Sequence, residues 1–254
     1  MDASPRYTHG YAESVLRSHR TRTAVNSAAH LIPLLDSGRT LLDVGSGAGT
    51  ITVDLADLVA PARVTALETS TDAAALTRAE ADRRGCRTVD VIVGDVLDLD
   101  LASASFDVVH AHQVLQHVTD PVAALREMIR VCRPGGVVAV RDADYGGFTW
   151  YPPNPGLDRW RELYGAAARA NGGEPDAGRR LLSWAHAAGA HRVTASASTW
   201  CYADPAARHA WGSGWAERIT DSAIARQLLD AGTTTAELRA VASAWSAWAA
   251  HPDG

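Results

Sequence analysis

The sequence predicts an α/β fold, a Rossmann-like, doubly wound and mostly parallel sheet. Three observations carry that prediction. Short apolar runs alternate with helical patterns through the first 145 residues; the run Leu41 to Thr50, LLDVGSGAGT, joins a strand to a helix through glycines at alternate positions; and acids close the strand-like runs, at Glu68 and at Asp95 after Gly94.

The opening residues, Met1 to His9, are polar and read as irregular. From about Tyr11 to Leu35 the apolar positions Tyr11, Val15, Leu16, Ala24, Val25, Ala28, Ala29 and Ile32 suggest two amphipathic helices. They also carry Arg17, His19, Arg20 and Arg22, close after Tyr7 and His9, so the segment reads either as a lid over a ligand or as a solvated helix face.

The short apolar run from Leu41 that ends in the acid Asp43 then reads as a buried strand, and Gly45, Gly47 and Gly49 as a tight turn at a helix N-terminus, a layout that receives a nucleotide-like ligand. The spacing is G-x-G-x-G rather than the G-x-G-x-x-G of dinucleotide sites. An acid, Asp43, stands two residues before the first glycine. A carboxylate there would repel a pyrophosphate but suits ammonium and sulfonium charge, which favours S-adenosylmethionine over a nicotinamide dinucleotide. The plainer alternative is a turn whose glycines serve backbone geometry alone.

Ile51 to Val59 reads as a helix stopped by Pro61, and Arg63 to Leu67 as a second strand ending in Glu68. An acid about 20 residues past a glycine turn is placed to accept from both ribose hydroxyls. Asp72 to Gly85 is a helix, Asp90 to Val93 a third strand, and Asp95 after it could accept from an exocyclic amine. Phe106 to His110 is the fourth strand, leading into AHQVLQHV; Pro121 to Cys132 is a helix; and the turn Arg133 to Gly136 enters a fifth strand, Val137 to Arg141.

After Tyr145 the pattern changes. YGGFTWYPPNP is too rich in glycine and proline for regular structure and lines an apolar pocket or covers a core. Helices are expected over Leu157 to Ala170, Arg179 to Ala188, Pro205 to Ala231 and Thr235 to Ala250, with a sixth strand at Val193 to Tyr202. The division expected is an N-terminal helical cap over residues 1–36, a ligand-binding core over 37–145, and a substrate or lid region with a helical insertion over 146–254.

Composition excludes several classes. The net charge of -5 gives no basic face for a phosphate backbone, so no nucleic-acid partner is expected. Three scattered cysteines, Cys86, Cys132 and Cys201, form neither a disulfide framework nor a zinc site. No apolar run approaches the roughly 18 residues of a membrane span and no leader opens the chain, so a cytoplasmic protein with no membrane partner is expected.

Taken together, LLDVGSGAGT, Glu68, Gly94 to Val96, FDVVHAHQVLQHV and RVCRPGGVVAV, in this order, resemble a class I S-adenosylmethionine-dependent methyltransferase. The branch most similar contains the menaquinone and ubiquinone C-methyltransferases and many bacterial small-molecule enzymes. The resemblance implies that Asp43, Gly45, Ser46, Gly47 and Gly49 surround the methionine portion of the cofactor, that Glu68 with Thr69 beside it holds the ribose, and that Asp95 and Val96 frame the adenine. His112 to Leu115 would face the substrate, and Tyr7, His9 and Arg17 would close over the cofactor. It also implies a seventh, antiparallel strand, for which no residues follow the last helix. A hairpin within Val193 to Tyr202, a truncated chain, or an edge supplied by a second copy in a homodimer would answer for it.

Methyl transfer is an in-line displacement in which proximity and orientation do much of the work. A base is required only when the acceptor must lose a proton, and His112, His9 and Tyr7 are the candidates. His112 serves equally as an orienting residue. The histidines at 110, 112 and 117 lack a carboxylate or cysteine at ligand spacing, and the acids Asp142 and Asp144 have no matching acid after the fourth strand, so no metal is expected. The acceptor expected is a small molecule, in secondary metabolism; a protein that binds the cofactor without turnover, or an enzyme of this fold that does not methylate, is the alternative.

Overall fold

The structure, a computed structural model, describes Thr8 and residues 13–254. Its chain divides into two compact units that interleave in sequence. Among the described residues, one comprises 19–143 and 177–197; the other comprises Thr8, 13–18, 144–176 and 198–254.

The first unit holds the sheet. Strands β1 (Leu41–Val44), β2 (Val64–Glu68), β3 (Val89–Val93), β4 (Phe106–His112) and β5 (Cys132–Arg141) lie in the order β3-β2-β1-β4-β5. Every pairing is parallel. The helices between them are α3 (Thr50–Val59), α4 (Thr71–Arg83) and α5 (Pro121–Val131). Ser70 and Asp120 cap α4 and α5 by accepting from Ala73 and Ala123 N–H. Before the sheet come two short helices, α1 (Glu13–His19) and α2 (Ala24–Ser27), of which α1 belongs almost wholly to the second unit.

Alternation along the strands builds two cores. Leu41, Val64, Val108 and Ala139 face α3, where Leu31, Ile51, Leu55 and Val59 complete one apolar layer. Leu42, Val44, Leu67 and Val109 face the other way, onto Leu125, Met128 and Val131 of α5. Helix α7 (Leu181–Ala187) adds Leu181 and Trp184 to that second layer. Burial on both faces explains why these strands read as continuous apolar runs.

The second unit is helical. Helices α6 (Pro155–Ala170), α8 (Pro205–Thr220), α9 (Ala223–Asp230) and α10 (Thr235–Ala250) surround aromatic side chains. Trp160 is fully buried and has Trp215 and Trp245 edge-on at centroid distances of 4.6 and 4.8 Å. Tyr145 stacks on Tyr164 at 4.0 Å and on Phe148 at 4.7 Å. The segment from Tyr145 to Phe148 is therefore aromatic core within its own unit.

Four expectations are corrected. Val193 to Tyr202 forms no strand: its alternation rests on Ala195 and Ala197, which offer no apolar face worth burying, and it runs almost wholly exposed. No sixth or seventh strand occurs among the described residues. The expected helix from Pro205 to Ala231 breaks at Asp221, because Ser222 turns its hydroxyl to cap a new helix at Ile224 N–H. The fourth strand runs on to His112, so that residue ends the strand rather than following it, and Arg133 to Gly136 forms a bulge inside β5.

Candidate active site

The carboxyl ends of β1, β2, β4 and β5 meet at one edge of the first unit. Parallel register aligns Asp43 with Ala66 and His110, and His112 with Arg141. Counting in steps of two along each strand sets Asp43, Glu68, His110, His112 and Arg141 on the face shared with Leu41, Val64, Val108 and Ala139.

The glycine turn depends on backbone conformations that other residues rarely adopt. Gly45, Gly47 and Gly49 have φ of 70°, 57° and 79°. A Cβ on Gly45 would come within 2.5 Å of Val114 Cγ2, and one on Gly49 within 2.9 Å of Thr77 Cα in α4. The turn is thus pressed between the exit of β4 and helix α4. Ser46 Oγ lies 2.7 Å from Thr77 Oγ1, and Thr77 donates to Gly47 O at 3.1 Å, which fastens the turn from outside.

Two buried carboxylates flank it. Asp43 accepts from Thr52 Oγ1 at 2.6 Å and lies 2.7 Å from His110 Nδ1. Glu68 accepts from the backbone N–H of Gly47 and, at 3.3 Å, from that of Thr69. Burial pushes the Glu68 carboxyl up, and the two backbone donors oppose that shift.

The exit of β4 is held in an unusual conformation. Gln113 has φ of 57°, its N–H donates to Arg141 O at 2.7 Å, and its Oε1 accepts from Arg22 Nη2 at 2.7 Å. His112, just before it, is buried. Burial holds its imidazole well below the usual range, and the guanidinium charges of Arg22 and Arg141 push the same way. His112 is therefore a neutral ring at physiological pH. His117, in the turn after β4, is likewise driven down to about 3, by burial and then by Arg22.

The other expected site residues are distributed as follows. Asp95 is exposed and its carboxylate accepts from Leu97 N–H at 2.9 Å; Val96 is buried in the α5 layer; Thr69 is exposed. Arg17 lies in the second unit, where it pairs with Glu217 at 2.5 Å. Tyr7 and His9 lie outside the described residues. Among the described residues no group of three or more metal-ligating side chains gathers. Reasoning from the sequence did not find the Thr52–Asp43–His110 cluster, although the register that creates it follows from the strand order.

These residues fit an S-adenosylmethionine cofactor. The left-handed turn at Gly45, Gly47 and Gly49 leaves backbone rather than side chains at the strand ends, and the buried carboxylates of Asp43 and Glu68 flank it as acceptors of the kind a cationic, ribose-bearing ligand uses. Comparison with known proteins agrees. Residues 35–176 match the model of a methyltransferase domain. An uncharacterised methyltransferase of Schizosaccharomyces pombe is 34% identical over 95% of this chain and 89% of its own length. A demethylmenaquinone methyltransferase of Renibacterium salmoninarum is 33% identical over 58% of each chain. Among solved structures, a phosphoethanolamine N-methyltransferase of Haemonchus contortus, bound to phosphomonomethylethanolamine and S-adenosylhomocysteine, shares the fold with a TM-score of 0.55, at 18% identity over 84% of this chain and 45% of that one. The chain belongs to the S-adenosylmethionine-dependent methyltransferases, and its cofactor is S-adenosylmethionine.

Proposed function

We propose that this enzyme methylates a small-molecule acceptor, in secondary metabolism, with the acceptor approaching the carboxyl end of β4. The observation that carries the reading is the convergence at one sheet edge of the glycine turn, Glu68 and the buried neutral imidazole of His112. When bound, the cofactor supplies a methyl group already activated on a sulfonium. The chain's own part is to bind, orient and exclude water.

In this reading Gly45, Ser46, Gly47 and Gly49 frame the methionine portion with Asp43 beneath them. Glu68 and Thr69 receive the ribose, and Asp95 with Val96 borders the adenine. His112 orients the acceptor through a hydrogen bond; its depressed pKa makes it a poor reservoir for a proton but keeps a ring nitrogen available as acceptor. Arg17, Tyr7 and His9 act as a closing cap. A net charge of -5 and the absence of a base-gripping motif after β4 support a small acceptor over a nucleic acid.

Among the described residues no helix is long and apolar enough to cross a membrane. A cytoplasmic location and association of two copies complete the reading. The decisive experiment supplies methyl-labelled cofactor with separated fractions of a cell extract. Label in a small product is expected; label confined to protein or nucleic acid would overturn the proposed acceptor class.

A further inference from the structure

We infer that His110 is a positioning residue for Asp43, clamping its carboxylate beneath the glycine turn so that the turn is held ready for the cofactor. The inference rests on the reading that Asp43 belongs to the cofactor site.

The geometry is specific. His110 is fully buried and Asp43 is 2% exposed, and in-register pairing of β1 with β4 sets the two side by side on one face. A buried carboxylate is tolerated when its oxygens receive hydrogen bonds. Here each oxygen has its own donor: Thr52 Oγ1 from the first turn of α3 reaches Oδ2, and His110 Nδ1 from β4 lies against Oδ1. The carboxylate is thereby braced from two elements and cannot turn away from the loop that begins two residues later.

The pairing also fixes the tautomer of the ring. A carboxylate has no hydrogen to give, so Nδ1 carries it. His110 Nε2 is buried and has no hydrogen-bond partner among the described residues. An N–H at that position would be a buried donor with nothing to accept it, a costly arrangement. The ring therefore presents Nδ1–H to Asp43 and leaves Nε2 bare. At this position a side chain is needed that donates from the second atom beyond Cβ, which asparagine shares and leucine, of similar bulk, lacks.

The test measures binding of S-adenosylhomocysteine by calorimetry to the full chain and to His110→Leu, His110→Asn and Asp43→Asn. His110→Leu is expected to weaken binding about tenfold or more, the loss of one hydrogen bond to a charged group. His110→Asn should restore most of that loss, which a purely space-filling role would not allow. Unchanged affinity in His110→Leu, with Asp43→Asn weakened, would overturn the positioning role while leaving the site intact. Unchanged affinity in Asp43→Asn would overturn the site assignment and the inference with it. Should the leucine variant fail to fold, nitrogen NMR of labelled histidine in the unaltered protein decides the matter: a bare Nε2 on His110 supports the inference, and a protonated Nε2 with bare Nδ1 overturns it.

Discussion

Asp142 Oδ1 accepts a hydrogen bond from the backbone N–H of Gln116 at 3.0 Å, while its Oδ2 is buried with no hydrogen-bond partner among the described residues. The contact joins the exit of β5 to the turn after β4. Gln116 returns it, its Oε1 accepting from Ala143 N–H at 3.2 Å, which leaves Nε2 facing His117 Nε2 at 2.9 Å. Two exits of the sheet are thus stitched together by one amide and one carboxyl group.

The half-satisfied carboxyl makes stability depend on pH. Burial drives Asp142 up from 3.8 to about 7, against the pull of the Gln116 and Leu115 N–H groups. Between those values the folded chain binds more protons than the unfolded chain, so this group costs stability progressively as pH rises toward about 7. His117 acts in the opposite sense: driven down to about 3, it costs stability as pH falls below 6.5. The two slopes oppose each other through mildly acidic pH. Asp142→Asn is expected to stabilise the protein at pH 8, by on the order of a few kcal/mol, and to have little or unfavourable effect at pH 4. Thermal melts across that range check it, and an equal shift at both ends would defeat the argument.

The three turn glycines should differ in how badly they tolerate alanine. At Gly49 the added Cβ meets the backbone of α4, which cannot yield; at Gly45 it meets a terminal methyl of Val114, which can rotate; at Gly47 its nearest neighbour is 3.9 Å away and the left-handed φ is the only obstacle. Gly47→Ala should cost about 1–2 kcal/mol, and Gly45→Ala and then Gly49→Ala successively more. Denaturant titration of the three variants gives the order directly, and a Gly47 variant less stable than the Gly49 variant would contradict it.

Trp160→Ala should be among the most damaging changes in the helical unit. Trp160 is fully buried, with Tyr145, Phe148, Tyr164, Trp215 and Trp245 all within 6.1 Å between ring centroids. A loss of about 3–5 kcal/mol is expected, against much less for the half-buried Trp150. Denaturant titration measures both, and near-ultraviolet circular dichroism follows the collapse of the ring cluster.

The parallel sheet was legible because its strands are buried on both faces and are punctuated by glycine, at Gly45 to Gly49, Gly85 and Gly135 to Gly136. The glycine turn and Glu68 were legible for the same reason, since local sequence dictates the turn and the strand end. The reach of His112 into β4 was not, because HAHQ carries no breaker and the strand ends only where Gln113 adopts a left-handed conformation. The clamp of His110 on Asp43 lies 67 residues apart in sequence and appears only once strand order is known. Val193 to Tyr202 misled because alternation of small residues imitates a strand without supplying surface to bury. The helical unit hides its order in tertiary packing, where Ser222 breaks what periodicity alone joins.

The interleaving of the two units bears on how this chain can be dissected. A cut after Ala143 would sever α7, whose Leu181 and Trp184 close one layer of the sheet, and would leave the aromatic unit without residues 13–18. No single stop codon or shifted start yields either half intact. Separating cofactor affinity from the helical unit therefore calls for point substitutions rather than fragments.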